Sequence, residues 1–247
     1  MKGVKLQPTF EQSFVEFNES ADATLSIESA YGFLSTKSPL DSLRYRYVKR
    51  IFDIVCALLL TALFAVPGLL IAAAIVLTSR GPAFYREQRI GRDGVPFRIW
   101  KFRSMYCYLF PKNHGKALVH ATNIVEWRMN KRKRVSDPRV TAVGRLLRRW
   151  SLDELPQLFN VLRGDMSMIG PRPIVSAEMP LYGDLLHFYL AAIPGISGLW
   201  QVSGRSNLDY PERSKLDASY VSLWSLRTDA SIFLKTIPTI LGRVGAR

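Results

Sequence analysis

The sequence predicts an α+β fold that is mainly helical and is held on a membrane by a re-entrant helical hairpin near the N-terminus. The first observation is an uncharged apolar run from 54 to 79 that contains Pro67 and has basic residues on both sides. The second is a stretch from 84 to 103 in which apolar and basic residues alternate, as they do in half-buried strands. The third is a set of segments after position 140 with helical spacing of apolar residues. We therefore expect a monotopic membrane protein with interfacial amphipathic helices and one small domain.

The apolar run determines how the chain meets the membrane. Its 26 residues exceed the roughly 20 that cross a hydrocarbon core, so an ordinary span and a buried helix remain alternatives. Cytoplasmic ends of membrane segments attract Lys and Arg, and here both ends are basic: Arg44, Arg46, Lys49 and Arg50 precede the run, and Arg80, Arg86, Arg89 and Arg92 follow it. A segment that bends at Pro67-Gly68 and leaves on the side it entered satisfies both ends. We expect a re-entrant helix over 44–80, with Asp53 pairing with a nearby base or capping the helix.

The regions on either side of the anchor differ in charge. The chain carries a net charge of +14, whereas residues 1–40 hold three lysines and five acids, so the remainder carries +16. Weakly patterned, serine-rich sequence predicts a mobile tail over 1–43. The basic surplus suits an anionic membrane or a phosphate-bearing substrate, with nucleic acid as the competing partner. We assign the basic run 131–134 to a lipid-facing loop, and the cysteines and histidines have no disulfide or transition-metal spacing.

Residues 84–103 are predicted to form a β-hairpin whose turn is the segment 91–94. Three basic residues follow that turn, namely Arg98, Lys101 and Arg103. We expect these side chains to project toward one edge of the hairpin. The alternative is a solvated basic hairpin that lies on lipid headgroups.

An acid pair, Asp153-Glu154, follows a basic amphipathic helix predicted over 140–150, which lies either in the membrane interface or on the domain core. Ser151 and Glu154 have the spacing of a capping box, which is sufficient to explain Glu154 alone. Capping does not explain a pair of acids placed before a glycine- and proline-rich segment. Backbone N–H groups at a helix start favour the ionised form of Asp153 and attract a substrate phosphate. An ionised carboxylate can attack phosphorus or hold Mg²⁺.

Two glycine- and proline-rich segments, 163–173 and 194–207, are candidate ligand loops. Glycine lets backbone approach a ligand, and two prolines fix the turn that aims Arg172, whose guanidinium suits phosphate. A rigid surface turn would have the same sequence. In the second segment, Trp200 either stacks on a base or sugar or anchors the loop. The residues from 215 to 240 are predicted to be helical, with acids that pair with the arginines.

These motifs resemble those of the bacterial sugar transferases, or monotopic phosphoglycosyl transferases, over about Lys49 to Thr239. The resemblance depends on motifs that occur in this order: Lys49-Arg50-Ile51-Phe52-Asp53, the proline-containing anchor, Lys101-Phe102-Arg103-Ser104-Met105, Asp153-Glu154-Leu155-Pro156-Gln157-Leu158, Gly164-Asp165-Met166-Ser167, Gly170-Pro171-Arg172-Pro173, and Pro194-Gly195 through Gly204-Arg205. The family's membrane hairpin is commonly described as breaking at a Ser-Pro pair, whereas Val66 precedes Pro67 here. The short chain with a single anchor is similar to the exopolysaccharide-initiating members.

The resemblance implies transfer of a hexose 1-phosphate, with galactose or glucose favoured, from a UDP-sugar to undecaprenyl phosphate with release of UMP. It implies that 81–247 is the catalytic domain, on the cytoplasmic face of the bacterial inner membrane. By the same analogy Asp153 is the nucleophile, and Asp153 and Glu154 hold Mg²⁺. The substrate would be bound by Arg172 and Arg205, and also by Lys101 and Arg103.

The resemblance implies that nucleic acid is not a partner. It leaves the oligomeric state open, with a homodimer among the options. The alternative function is a membrane-tethered, non-catalytic scaffold or nucleic-acid binder that uses the basic surface. It predicts salt-sensitive binding without dependence on sugar nucleotides.

Overall fold

The computed structural model describes Leu40 and residues 42–106 and 140–242. Within these ranges the chain is mainly helical with two small two-stranded sheets, which confirms the coarse fold class. The elements in chain order are α1 (Lys49–Thr78), β1 (Phe84–Ile90), β2 (Pro96–Phe102), α2 (Ala142–Arg149), α3 (Leu158–Arg163), β3 (Ser167–Ile169), α4 (Leu186–Ala191), β4 (Gly195–Ser197), α5 (Leu199–Ser203), α6 (Tyr210–Ser222) and α7 (Leu226–Leu241). Most of the predicted mobile tail 1–43 and the basic run 131–134 lie outside the described residues.

Helix α1 follows a π-helical turn, Arg44–Val48, and continues without interruption through Pro67. The predicted bend at Pro67-Gly68 does not interrupt the helix, since α1 is continuous across it. Proline removes one N–H and crowds the preceding turn, but apolar residues continue the helix on both sides until Ser79, whose backbone is extended. By length and composition the segment Arg44–Thr78 is sufficient to cross a membrane, and re-entry stays a prediction.

The N-terminal end of α1 is bound to the domain by buried charges. Lys49 Nζ lies 2.7 Å from Asp229 Oδ2, so this tail acid pairs with a lysine and not with a predicted arginine. One turn further, Asp53 accepts hydrogen bonds from Ser167 Oγ and Met168 N, both at 2.9 Å. The prediction that Asp53 pairs with a base or caps its own helix is corrected, since the carboxylate binds the start of β3.

The C-terminal end of α1 is held by β2 and the residue that follows it. Ile75 is buried against Phe102 and Leu147. Arg103 Nη2 donates at 2.7 Å to Ser79 O, and the same guanidinium contacts the carbonyl oxygens of Ile75, Arg80 and Gly81. Both ends of α1 therefore contact one domain, which is the arrangement that re-entry requires.

Strands β1 and β2 form the predicted antiparallel hairpin. The register places Tyr85 opposite Lys101 and Arg89 opposite Phe97. Because opposed residues share a face and successive residues alternate between faces, Arg89 and Lys101 project from the same face. Arg98 projects from the other face, so the expectation that it shares an edge with Lys101 is wrong.

Helix α2 confirms the amphipathic helix predicted over 140–150. Thr141 caps it, since its hydroxyl oxygen accepts from Gly144 N at 2.8 Å. Leu147 lies in the core whereas Leu146 is exposed. The helix therefore packs part of its apolar stripe on the domain, and a membrane contact of the remainder stays a prediction.

Strands β3 and β4 form a parallel pair that the sequence analysis missed. Ser167 lies opposite Gly195, and Ile169 lies opposite Ser197. A Cβ atom on Gly195 would lie 2.1 Å from the backbone nitrogen of Gly170. The two glycine-rich segments therefore meet each other here, and their glycines permit contact between two backbones.

The predicted helical tail consists of two helices, α6 and α7. Asp209 and Glu212 form a capping box at the start of α6, with Glu212 N donating to Asp209 Oδ1 at 3.0 Å. Asp217, in the middle of α6, accepts at 2.8 Å from the hydroxyl of Tyr182. This hydrogen bond replaces the arginine ion pair that we predicted for the acids of the tail.

Candidate active site

The candidate site is built around one carboxylate oxygen of Glu154. Lys101 Nζ donates to Glu154 Oε1 at 3.0 Å, and Arg172 Nη2 donates to the same oxygen at 3.4 Å. Lys101 lies on β2, Glu154 lies in the 3-10 turn Leu152–Gln157, and Arg172 lies in the turn after β3. Three predicted site residues from distant parts of the sequence are thus brought together.

The two acids of the pair have pKa values that are shifted in opposite directions. Burial alone would raise the pKa of Glu154, but the charges and hydrogen bonds of Lys101 and Arg172 outweigh it and lower the pKa to about 2. Burial, and then the charge of Glu154, raise the pKa of Asp153. The predicted backbone stabilisation of ionised Asp153 is present but smaller. Neighbouring groups with divergent pKa values are typical of catalytic pairs.

Arg148 is a site residue that the sequence analysis treated only as part of a basic helix. Its charge lowers the pKa of Asp153, and its Nε donates to Ser104 Oγ at 2.9 Å. The feature of the sequence that could have identified Arg148 is its position in the last helical turn before the acid pair. A cation next to the predicted nucleophile favours the ionised carboxylate.

The capping box predicted for Ser151 and Glu154 is replaced by another arrangement. Ser151 has φ 55°, and its backbone oxygen accepts a hydrogen bond from Glu154 N at 3.2 Å. Its side chain does not cap this turn. The Glu154 side chain points instead to Lys101 and Arg172. Capping therefore does not account for Glu154.

Arg205 and Arg103, both predicted to bind substrate, are placed differently. Arg205 Nη2 lies 3.4 Å from Ser151 Oγ, two residues before Asp153. Burial lowers the pKa of Arg205, and the charges of Glu154 and Arg172 also act on it. Arg205 is therefore close enough to the site to be influenced by both residues. The Arg103 guanidinium binds carbonyl oxygens at the end of α1, so the structure assigns it to anchoring and does not bring it to Glu154.

Trp200 anchors its loop. The side chain is buried, and the Arg213 guanidinium lies 4.7 Å from the centre of its ring. Of the two roles that the sequence left open, the structure supports packing, since little of the indole surface remains for a ligand.

A shallow cleft with almost no free volume lies next to these charges, and its lining includes three basic residues. Its walls include Arg89, Lys101, Glu154, Gln157, Arg172, Pro173 and Gly195. Lys101 and Arg172 contact Glu154, whereas Arg89 contacts Glu87 and Glu178. Excess positive charge in a concave site attracts anionic ligands, and arginine and lysine are preferred phosphate partners.

The carboxylate oxygens of Asp153 and Glu154 are the candidate ligands for Mg²⁺. Within the described ranges, no group of three or more His, Cys, Asp or Glu residues is placed to hold a metal. Mg²⁺ needs no such cage, because it is usually held by one or two carboxylates together with substrate phosphates. The acid pair fits that use.

The protein combines an apolar helix, attached at both ends to one domain, with a cationic cleft in that domain. This combination defines a class of membrane-associated proteins suited to phosphate-bearing ligands. Residues 44–243 match the family model of the bacterial sugar transferases. The chain therefore belongs to the bacterial sugar transferase family.

Several relatives are similar over most of this chain. Over 203 residues, 81% of the chain, it is 47% identical to the undecaprenyl-phosphate galactose phosphotransferase of Salmonella typhimurium, of which it covers 42%. It is 44% identical over 192 residues to the exopolysaccharide production protein ExoY of Rhizobium meliloti, covering 78% of this chain and 84% of ExoY. It is 43% identical over 211 residues to the UDP-glucose:undecaprenyl-phosphate glucose-1-phosphate transferase of Caulobacter vibrioides, covering 82% and 73%. The chain thus spans less than half of the Salmonella relative and most of the other two.

Proposed function

We propose that this protein transfers a hexose 1-phosphate, galactose or glucose, from a UDP-sugar to undecaprenyl phosphate and releases UMP. The product is the lipid-linked sugar that begins exopolysaccharide synthesis. The observation that carries the proposal is the contact of Lys101 and Arg172 with Glu154, next to Asp153, in a basic cleft. The names of the relatives supply the sugar, the nucleotide and the lipid.

The reaction takes place in two displacements at phosphorus. A carboxylate oxygen of Asp153 forms a bond to the phosphorus that bears the sugar, and the bond from that phosphorus to the bridging oxygen breaks, so UMP leaves with the electron pair. A phosphate oxygen of undecaprenyl phosphate then attacks the same phosphorus, and Asp153 departs as a carboxylate. Covalent catalysis of this kind divides a difficult transfer between a soluble donor and a lipid acceptor into two steps.

The cationic residues align the donor and neutralise its charge. Phosphoryl transfer depends mainly on positioning and electrostatic stabilisation, and Lys101 and Arg172 lie on either side of Glu154. The guanidinium of Arg205, which contacts Ser151 just before the acid pair, also binds the donor. Asp153 and Glu154 would hold Mg²⁺, which would supply further charge neutralisation for the donor when bound.

The two contacts of α1 support a proposal for the membrane geometry. Lys49 and Ile75, near the two ends of the helix, are both buried against the same domain. We infer a re-entrant helix with its flanking arginines at the cytoplasmic face of the bacterial inner membrane, where the positive-inside bias favours them. The cleft then lies between the soluble sugar nucleotide and the lipid phosphate.

The test is UMP release by purified protein in nanodiscs with undecaprenyl phosphate, Mg²⁺ and a panel of UDP-sugars. We expect release with one sugar and no release from Asp153→Asn, since an amide cannot act as the nucleophile. The matched control is Asp93→Asn, an exposed acid in the hairpin turn, which should retain full turnover. Normal turnover by Asp153→Asn would contradict the nucleophile assignment, and no release with any sugar from folded protein would contradict the reaction.

A further inference from the structure

Arg89 is a buried cation of the cleft that contacts two acids, Glu87 and Glu178, and the residue after Arg172. Its side chain is only 4% exposed, and Nη2 lies 2.5 Å from Glu87 Oε2. Nη1 donates at 3.3 Å to the carbonyl oxygen of Pro173, the residue after Arg172. A buried guanidinium that binds a neighbouring carbonyl restrains the backbone on which Arg172 is carried.

The β-hairpin connects this contact to the other cation at Glu154. Arg89 and Lys101 project from the same face of the hairpin, one from β1 and one from β2. Lys101 contacts Glu154 directly, whereas Arg89 contacts the turn that carries Arg172. One rigid element thus determines where both cations lie relative to a single carboxylate.

The turn from 170 to 173 has other supports at its two ends. After the turn, Ile90 N donates to Ile174 O at 2.9 Å, and Tyr189 OH accepts from Ile174 N at 3.1 Å. Before it, Gly170 N donates to Ser197 O at 2.9 Å, and within it Gly195 N donates to Pro171 O at 2.8 Å. Arg89 adds a side-chain contact on the other side of Arg172, at Pro173 O.

We propose that Arg89 is a positioning residue that holds the 170–173 turn so that Arg172 stays within reach of Glu154 and of the donor diphosphate. This inference rests on the proposed function. Without Arg89 the turn keeps its backbone hydrogen bonds at Gly170, Pro171 and Ile174, but Pro173 loses its side-chain support, so Arg172 is held on one side only. A displacement of about 1 Å in a positioned group can reduce the rate roughly a hundredfold.

A double-mutant cycle with Arg89→Met, Arg172→Met and the double variant tests the coupling. We expect Arg89→Met alone to reduce kcat/KM for UMP release roughly tenfold to a hundredfold. In the Arg172→Met background the same change should have an effect of about threefold or less, because residues that act through one another are not additive. Equal losses in both backgrounds would overturn the proposal.

The matched control is Arg86→Met, on the same strand but on the opposite face, where Arg86 stacks 3.8 Å from the centre of the Trp100 ring. It should leave kcat/KM unchanged. If Arg89→Met does not fold, Arg89→Lys keeps the charge but cannot bind two acceptors in the same planar arrangement. It should show a smaller loss that also disappears in the Arg172→Met background.

Hydrogen exchange provides a readout that does not depend on turnover. Arg89→Met should increase exchange at the backbone amides of Arg172, Ile174 and Val175, and Arg86→Met should not. Unchanged exchange there would overturn the positioning role. An inactive wild-type protein whose Arg89→Met variant still shows increased exchange would contradict the proposed function and support the role of Arg89.

Discussion

Two lysines, the buried Lys49 and the partly buried Lys101, bind acids in this protein, but their surroundings differ. Lys49 and Asp229 are each only 2% exposed, and Lys49 Nζ also donates to Ile169 O at 2.9 Å and contacts Tyr220 OH at 3.3 Å. Lys101 and its acid are 16% and 19% exposed, and they border a cleft.

The acids of the two clusters show the difference more clearly. Asp229 accepts at 2.8 Å from Tyr220 OH and at 3.1 Å from Trp224 Nε1, so one cation and two neutral donors satisfy it. Glu154 accepts from two cations at a single oxygen. The first cluster is closed to solvent, as an anchor should be. The second is partly exposed and brings two cations to one carboxylate oxygen, which favours an anionic ligand.

Lys49→Met should have the largest effect on stability. It leaves Asp229 as a buried charge without its ion-pair partner, and breaking a buried pair in this way costs about 3–5 kcal/mol. Unfolding in detergent, followed by tryptophan fluorescence, measures the loss, because Trp224 contacts Asp229. The double variant Lys49→Met/Asp229→Asn should recover part of it. A loss below about 1 kcal/mol would mean that the cluster is not an anchor.

Lys101→Met should reduce turnover strongly and stability only slightly, which is the reverse of the expectation for Lys49→Met. Turnover should fall roughly 10²- to 10³-fold, the usual cost of removing one preorganised electrostatic contact. The free energy of unfolding should change by less than about 1 kcal/mol, because the pair is partly exposed and Arg172 still contacts Glu154. Parallel kinetics and unfolding of one preparation separate the two effects. A large loss of stability with normal turnover per folded molecule would reverse the assignment.

Local sequence was sufficient to predict the parts of the molecule that are determined by neighbours along the chain. The alternation in 84–103 predicted the hairpin, and the spacing of apolar residues predicted α2 and the helical tail. The acid pair Asp153-Glu154 was identified for the same reason, since its position between a basic helix and a glycine-rich segment is visible in the sequence.

Contacts between distant segments could not be predicted. Nothing near Asp53 indicates that it binds Ser167 and Met168, and nothing near Arg103 indicates carbonyl oxygens at the end of α1. The pairing of β3 with β4 joins strands of three residues each, too short to show a period. The continuous helix through Pro67 reflects the apolar sequence around it, which outweighs one lost hydrogen bond.

Asp217 is a third acid and, unlike Asp229 and Glu154, it is incompletely paired. Its variant should therefore show a pH-dependent effect on stability. Burial raises its pKa from 3.8 to about 8, and within the described chain only one of its oxygens is hydrogen-bonded. As pH rises from about 4 to 8, the unfolded state ionises first, so the wild-type protein loses stability across that window. Asp217→Asn removes this loss, and its advantage should grow to about 1–3 kcal/mol at pH 8. Unfolding at pH 5 and 8 tests this, and an advantage that does not change with pH would contradict it.

Arg163→Ala should have the smallest effect, because Arg163 belongs to the most exposed ion pair among those that these variants disrupt. Arg163 Nε lies 3.5 Å from Asp165 Oδ2, but its side chain is 78% exposed, so water screens the pair. Exposed ion pairs contribute about 0–1 kcal/mol, and turnover should not change. Unfolding and UMP release are measured next to Lys49→Met and Lys101→Met under the same conditions. A loss for Arg163→Ala as large as that for Lys49→Met would show that burial does not rank these ion pairs, and a loss of turnover would extend the functional region to the end of α3.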